Sequence, residues 1–506
     1  MRPSLRRWWF RSLATGMSCA VLGGVGGCRP YDCNDYVTCE PPPPCEPDPA
    51  VAPAEDRCGV FVSESLGTDE SPGTRAQPVR SMARAIALAQ TGPKRVYACA
   101  ETFVQPVVLP SGVELWGGLD CSRDWGFLGA DKKTILAPGP NMIPLRVEAG
   151  SGTSIMADVR ADAADATTPS GSSIAVMIMP GAALEILRSQ IVAGNGAPGA
   201  NGRDGGSASA MAGTPGASGG SACSADVVPG GMAVVTRCEG LETIGGKGGT
   251  GNITSGGDGQ DGQPAPVSNP QGDGLGGVGA SSAAQCVDGG DAANGADGEH
   301  GKGGTGLGRL TLAGWQGENG QDGGDGRPGQ GGGGGGGSQG GALLCGNNQV
   351  KGGAGGGSGG GGGCGGKGGK GGGYGGASIG LLSFGGQVAV RMSTITTGHG
   401  GTGGNGGSFQ VGGAGAPGGL GGASFNMAGA GCDGGDGGQG GDGGYGGGGL
   451  GGSSLGIAHL LGQPVAQEGV TIQTGMPGYG GLGGHPDLPG SKGDDGVRGD
   501  LLGFPQ

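Results

Sequence analysis

Large side chains are what this sequence has least of. Only 34% of its 506 residues are hydrophobic and 4% aromatic, against 138 glycines, most of them after residue 190. The first part could bury an ordinary core. The rest could not, because glycine has no side chain to bury and loses the most backbone entropy on ordering. No C-x-x-C pair occurs among the 14 cysteines, and His300, His399, His459 and His485 stand apart, which argues against a zinc site. No basic run lies beyond the extreme N-terminus and the net charge is −13, which argues against nucleic acid as a partner. The Asp residues scattered among the glycines read as serving solubility.

The first 28 residues, MRPSLRRWWFRSLATGMSCAVLGGVGGC, set Arg2, Arg6, Arg7 and Arg11 before a short apolar stretch from Leu13 to Val25. That is the layout of a secretory signal, and the stretch is too short to span a bilayer. Val25-Gly26-Gly27-Cys28 resembles the lipobox of bacterial lipoproteins. The resemblance implies a signal peptide over residues 1–27 and acylation at Cys28; an ordinary signal with an incidental cysteine is the alternative. In that family a residue such as Arg29 after the cysteine implies the outer membrane, with the chain facing the periplasm or the cell surface. Residues 28–56, which include CEPPPPCEPDPAVAPAED, read as an extended, semi-stiff tether. Setting aside Cys19 and Cys28 leaves an even number of cysteines, which in an exported chain reads as disulfides.

Residues 57–195 carry one helix and a series of short strands. Pro78 can open the helix, Val79, Met82 and Ile86 share a face, and Gly92-Pro93 ends it. VYACA, GVELWGGLD, KTILAP and PLRVEAG follow, with Val96, Val113 and Ile135 as corresponding positions. Strands at such spacing suggest a sandwich or a parallel β-helix. Internal repetition favours the second. SSIAVMIMPGAALEILRSQIVAG from Ser172, ASIGLLSFGGQVAVRMSTITTG from Ala377 and SSLGIAHLLGQPVAQEGVTIQTG from Ser453 are each a strand, a turn and a second strand before a glycine run. A solenoid reuses one unit in this way. RLTLAGWQ from Arg309 reads as a partial further copy. The expected fold is mainly β: a right-handed parallel β-helix over 57–195, then a glycine-rich region over 196–506 with coils at 309–316, 377–398 and 453–475.

The opening helix and strands resemble the N-terminal cap of pectin-lyase-like parallel β-helix proteins, and the remainder resembles PGRS-type repeats. Together they resemble glycine-rich PGRS-type bacterial surface lipoproteins. Cys99 ends one strand and Cys121 follows the next, about one coil apart. Stacked strands lie close to 4.8 Å from each other, a spacing compatible with a disulfide. Pairing of either with Cys33, Cys39, Cys45 or Cys58 is the alternative.

From Gly196 a glycine falls on every third position, and the same period returns from Gly314 to Gly329 and from Gly434 to Gly449. Three residues per turn suits an extended left-handed helix. Collagen has that period but leans on Pro, which GGDGGQGGDGGYGGGG lacks. Disorder is a second reading, since low hydrophobicity resists ordering. The third is a bundle of polyglycine II helices whose backbones exchange hydrogen bonds and whose cysteines cross-link the runs. The bundle is preferred because buried amides need partners and chains without Cβ atoms approach closely enough to supply them.

Catalytic chemistry is hard to find. Gly398-His399-Gly400 is similar to the Gly-His-Gly of polygalacturonase-type enzymes, but no paired aspartates or Arg-x-Lys element accompany it. Gly256–Asp261 matches the start of a calcium-binding nonapeptide, yet Gln263 stands where a large aliphatic belongs and no tandem copy follows. The lysines of GGCGGKGGKGGG have no helix behind them to form a phosphate loop. Thr394, Thr396, Thr471 and Thr474 are too few for an ice-binding face. No catalytic residue, metal or cofactor is expected. The expectation is a non-enzymatic surface lipoprotein, structural or adhesive, whose partners are the membrane through its lipid and extracellular polysaccharide or other surface proteins. The alternative is a polysaccharide lyase or glycoside hydrolase.

Overall fold

The computed structural model describes residues 45–505 except 47, 267, 347 and 461–464. Residues 1–27, Cys28 and the first part of the expected tether lie outside the described residues.

Most strands belong to three parallel sheets. The first contains, in spatial order, Val60–Val62, Arg95–Cys99, Glu114–Asp120, Ser154–Ala157, Ala183–Leu187, Gln387–Arg391 and Val465–Glu468. The second contains Thr102–Phe103, Thr134–Leu136, Val159–Ala163, Gln190–Ala193, Thr394–Thr397 and Thr471–Gln473. The third contains Val107–Leu109, Leu145–Val147, Ser173–Ile178, Ser378–Ser383, Ser454–Leu460 and Arg498–Phe504. From Arg95 on, the chain visits the three sheets in turn and returns to each one strand further along.

Period-two alternation explains why these segments are strands with one face inward. Val159, Ala161 and Ala163 are buried while Arg160 and Asp162 point out; Leu184 and Ile186 do the same around Glu185. Register then stacks like on like. Ile191 pairs with Ile395, and Ile395 with Ile472. Ile174 pairs with Ile379, and Ile379 with Leu455. Each aliphatic buried this way contributes about 1.5–3 kcal/mol. The middle of the third sheet is covered on both faces: every residue of Ser173–Ile178 and Ser378–Ser383 is buried. Ile174, Met177, Ile379 and Leu382 of these strands cluster with Trp315 and Leu450.

Four expectations change. The helix is Met82–Thr91, capped by the Ser81 hydroxyl, which accepts the Arg84 N–H at 3.2 Å. Pro78 lies outside it because Val79 bridges to Val62 as extended chain. Val96 pairs with Leu115, and Ile135 sits in another sheet opposite Thr102 and Arg160, so Val96, Val113 and Ile135 do not correspond. One circuit holds three strands, and equal apolar letters therefore do not mark equal corners. Arg309–Thr311 and Gly314–Gln316 form an antiparallel hairpin rather than a coil, because only Leu312 and Ala313 separate them. Residues 48–56, read as the end of a tether, dock instead. Ala54 is buried and the Asp48 carboxylate holds both terminal nitrogens of Arg188 at 2.9 Å.

Candidate functional site

The glycine runs meet each other through their backbones. Gly196, Gly199, Gly202 and Gly205 donate N–H groups to the carbonyls of His399, Thr402, Asn405 and Ser408. The second run donates back into a third: Gly401, Gly404 and Gly407 to Gly376, Gly373 and Lys370. Within run 355–376 the direction of donation changes with every residue and repeats every three. Gly357, Gly360 and Gly363 donate to Cys432, Gly435 and Gly438. Gly355, Ser358 and Gly361 donate to Gly220, Ala217 and Thr214, while Gly356 and Gly359 donate to Gly249 and Gly246. This run also accepts from others, for example at the Gly363 carbonyl from Gly329 and at the Cys364 carbonyl from Gly413. Interior backbone is thereby satisfied without a side-chain core. The packing leaves no room for a side chain: a Cβ on Gly363 would collide with the Gly413 carbonyl.

Disulfides cross this array. Cys223–Cys345, Cys238–Cys364 and Cys286–Cys432 have Cα separations of 5.6, 5.4 and 5.9 Å and close 122, 126 and 146 residues. In the chain-entropy model each such loop stabilises by about 5 kcal/mol. Among the strands, Cys99 is joined to Cys121, Cα atoms 5.6 Å apart.

At the outer runs, side chains take over as acceptors. The N–H groups of Asp433, Asp436, Gln439 and Asp442 donate to Oδ1 of Asp288, Asp291, Asn294 and Asp297 at 2.8–2.9 Å. The Tyr445 N–H continues the ladder onto His300 Nδ1 at 3.1 Å. Elsewhere Gly371 and Gly368 donate to Asp322 and Asp325. The acidity of this half is therefore structural, not only a matter of surface charge. Backbone N–H groups from Ser408, Gly371, Gly368 and Gly480 hold the carboxyls of Asp204, Asp322, Asp325 and Asp495 below the usual carboxylate range. Asp258 and Asp261, in the stretch similar to a calcium nonapeptide, accept the Gly279 and Gly276 N–H groups as further rungs.

Three runs, 195–204, 399–408 and 476–485, lie side by side along one exposed face. The His399 N–H donates to Asn195 Oδ1 at 2.7 Å, and the Met476 N–H to His399 Nδ1 at 3.0 Å. Two steps on, the Asn405 N–H donates to Asn201 Oδ1 and the Leu482 N–H to Asn405 Oδ1, both at 2.9 Å. The X residues of the glycine period thus form rows, exposed except for the half-buried Ser408, while most of the glycines between them are buried or half-buried. His399 belongs to this face and not to a pair of aspartates.

Among the described residues no group of three His, Cys, Asp or Glu could hold a metal, and no helix is long and apolar enough to cross a membrane. A cavity of about 860 Å³ opens beside Cys286–Cys432, and one of about 660 Å³ beside Cys238–Cys364. In the second, Lys367 bridges Glu239 at 2.5 Å and Asp325 at 3.1 Å. Those bonds, Glu239 first, raise the Lys367 ammonium above its ordinary value. Among the deepest charges, Asp158 pairs with Lys133 at 2.9 Å and with Arg188 at 2.7 Å. Burial disfavours the Arg188 charge, but its bonds to Asp158 and Asp48 outweigh that and raise it. All of these are ion pairs that hold chain segments together.

No family model, no curated protein and no solved structure matches this chain. The molecule's own surface is what there is to read. The in-register face went unforeseen in the sequence, although Asn195, Asn201, His399 and Asn405 share its three-residue step. The hairpin Val234–Cys238 with Leu241–Gly245 also went unread. Its signal was Glu239-Gly240, a two-residue turn with positive φ at both positions between β-branched runs.

Proposed function

We propose that this chain is a non-enzymatic cell-envelope lipoprotein that presents a rigid, glycine-rich array at the outer membrane as a structural or adhesive element. In this reading the three parallel sheets are a right-handed parallel β-helix that serves as a spine, and the runs, which resemble PGRS-type repeats, are a polyglycine II array. The observation that carries it is the backbone-bonded array itself. At about 3.1 Å per residue, run 196–222 reaches about 80 Å from the strand it leaves. Such a long, cross-linked, side-chain-poor body suits display or contact better than turnover. The lipobox-like Val25–Cys28 supports anchoring. Fractionation and palmitate labelling of a Cys28→Ala variant test the anchor: label and membrane association are both expected to disappear. Retention of both overturns the lipoprotein reading, and turnover of acidic polysaccharides that is lost on changing a single Asp or Arg overturns the non-enzymatic one.

A further inference from the structure

On the exposed face Asn201, His399 and Asn405 turn their acceptors inward and leave their donors outward, whereas the Asn195 amide donates to Asp165 at 3.2 Å. Asn201 and Asn405 each spend Oδ1 on a backbone N–H, which leaves the Nδ2 amide groups to solvent. His399 accepts through Nδ1, so the proton of the neutral ring is on Nε2. Side chains of one run recur every three residues, about 9 Å apart. Donor positions are therefore fixed by backbone and not by flexible stems.

Beside these donors is a cleft of about 340 Å³ lined by His399, Thr402, Met476, Pro477, Tyr479 and Asp495. Tyr479 is 69% exposed, a large aromatic surface left without a partner in the fold. Asp495 Oδ1 accepts the Gly480 N–H at 2.9 Å and faces Lys492 Nζ at 3.1 Å, so the carboxylate stays ionised as an acceptor. Aromatic ring, apolar flank, fixed donors and one acceptor are the requirements of a sugar, whose ring offers a C–H face and a rim of hydroxyls.

We infer that this face binds a neutral, linear polysaccharide lying along the runs, with one sugar ring on Tyr479 and neighbouring hydroxyls on His399, Thr402 and Asp495. Neutrality follows from charge: Asp204 and Asp495 are matched by Arg203 and by Lys492, which pairs Asp495 at 3.1 Å, so the face holds no excess of positive charge to attract a polyanion. A polymer, rather than a single sugar, follows from continuity. The same rows run onto the outer face of the second sheet, where Thr394 lies beside Thr471 and Thr396 beside Gln473, all four exposed. The inference rests on the proposal that the protein works at a surface by binding, and it names the ligand class and the site.

The test is retention of the full-length chain, in detergent, on amorphous cellulose, on chitin and on immobilised polygalacturonate. Retention is expected on a neutral polymer and not on the polyanion. Tyr479→Ala should weaken it about tenfold, the scale of one aromatic contact, and Thr402→Arg should abolish it by filling the cleft. Leu343→Ser, at a side chain 85% exposed elsewhere, should leave it unchanged. Far-UV circular dichroism of each variant shows whether the fold survives. No retention on either neutral polymer overturns the proposal, as does retention that survives both Tyr479→Ala and Thr402→Arg. Tyr479-dependent slowing of ice growth without polymer retention assigns the face to ice and overturns it equally. Label and membrane association that persist in Cys28→Ala, which overturn the lipoprotein reading, would leave polymer retention intact, so the two readings fail separately.

Discussion

At the scale of the residue, the aspartates between the glycines carry an unusual burden. Asp204, Asp322, Asp325 and Asp495 accept backbone N–H groups that no neighbouring carbonyl reaches, and those bonds favour the ionised carboxylate and lower its pKa. A carboxyl whose pKa is lower folded than unfolded binds fewer protons in the folded chain between those two values. Its contribution is present in full above the unfolded value, about 4, and is lost as pH falls through the lower folded one. The melting temperature is therefore expected to fall more steeply as pH drops below about 4 than between pH 6 and pH 5. Asp322→Asn keeps an oxygen acceptor, as Asn201 and Asn405 do at equivalent rungs, and should flatten part of that fall. A melting temperature unchanged down to pH 2 would contradict the role given to these rungs. The sequence showed these acids plainly, but not their use, because Asp at every third position looks the same whether it faces water or an amide.

At the scale of the element, strands and runs obey opposite rules. A strand here is legible from its side chains: the alternation around Ile191 and Ile395 marks which face is buried, and register stacks these residues, like Ile174 and Ile379, on one another. Boundaries were less legible, since Ser81 rather than Pro78 caps the helix. The last strand, Arg498–Phe504, was missed because Gly499, Asp500 and Gly503 interrupt its apolar pattern; its pairing to Ser454–Leu460 is what orders it. A run, by contrast, is specified by what it lacks. Its period was readable, but its neighbours were not, because Gly-Gly-X offers no side-chain code for which run lies beside which. Strand register and the long-range disulfides supply that instead. Gly363→Ala places a methyl group against the Gly413 carbonyl and should cost about 1–3 kcal/mol, as overpacking does elsewhere. Gly429→Ala, where a Cβ meets nothing within 4 Å, should be neutral to within about 0.5 kcal/mol. Equal effects in urea denaturation would mean that run 355–376 is not packed on all sides.

At the scale of the whole molecule, two kinds of order share one chain. Aliphatic stacks hold the sheets, and backbone hydrogen bonds, each worth about 1 kcal/mol net, hold the runs. The runs leave from strand ends such as Ala193 and Thr397 and return at Ala377 and Ser453, so the sheets set their starting register. The most direct test of the central claim, that the glycine-rich half is ordered by its own backbone, is residue-resolved amide hydrogen exchange of the full-length chain. Protection is expected at the interior donors of run 355–376, Gly357, Gly360 and Gly363 among them, at a level comparable with Ile379 and Ile395 in the sheets. Exposed X positions whose amides have no partner should exchange fast. Complete exchange of residues 196–222 and 352–376 within the dead time, with protection confined to the three sheets, would contradict the account.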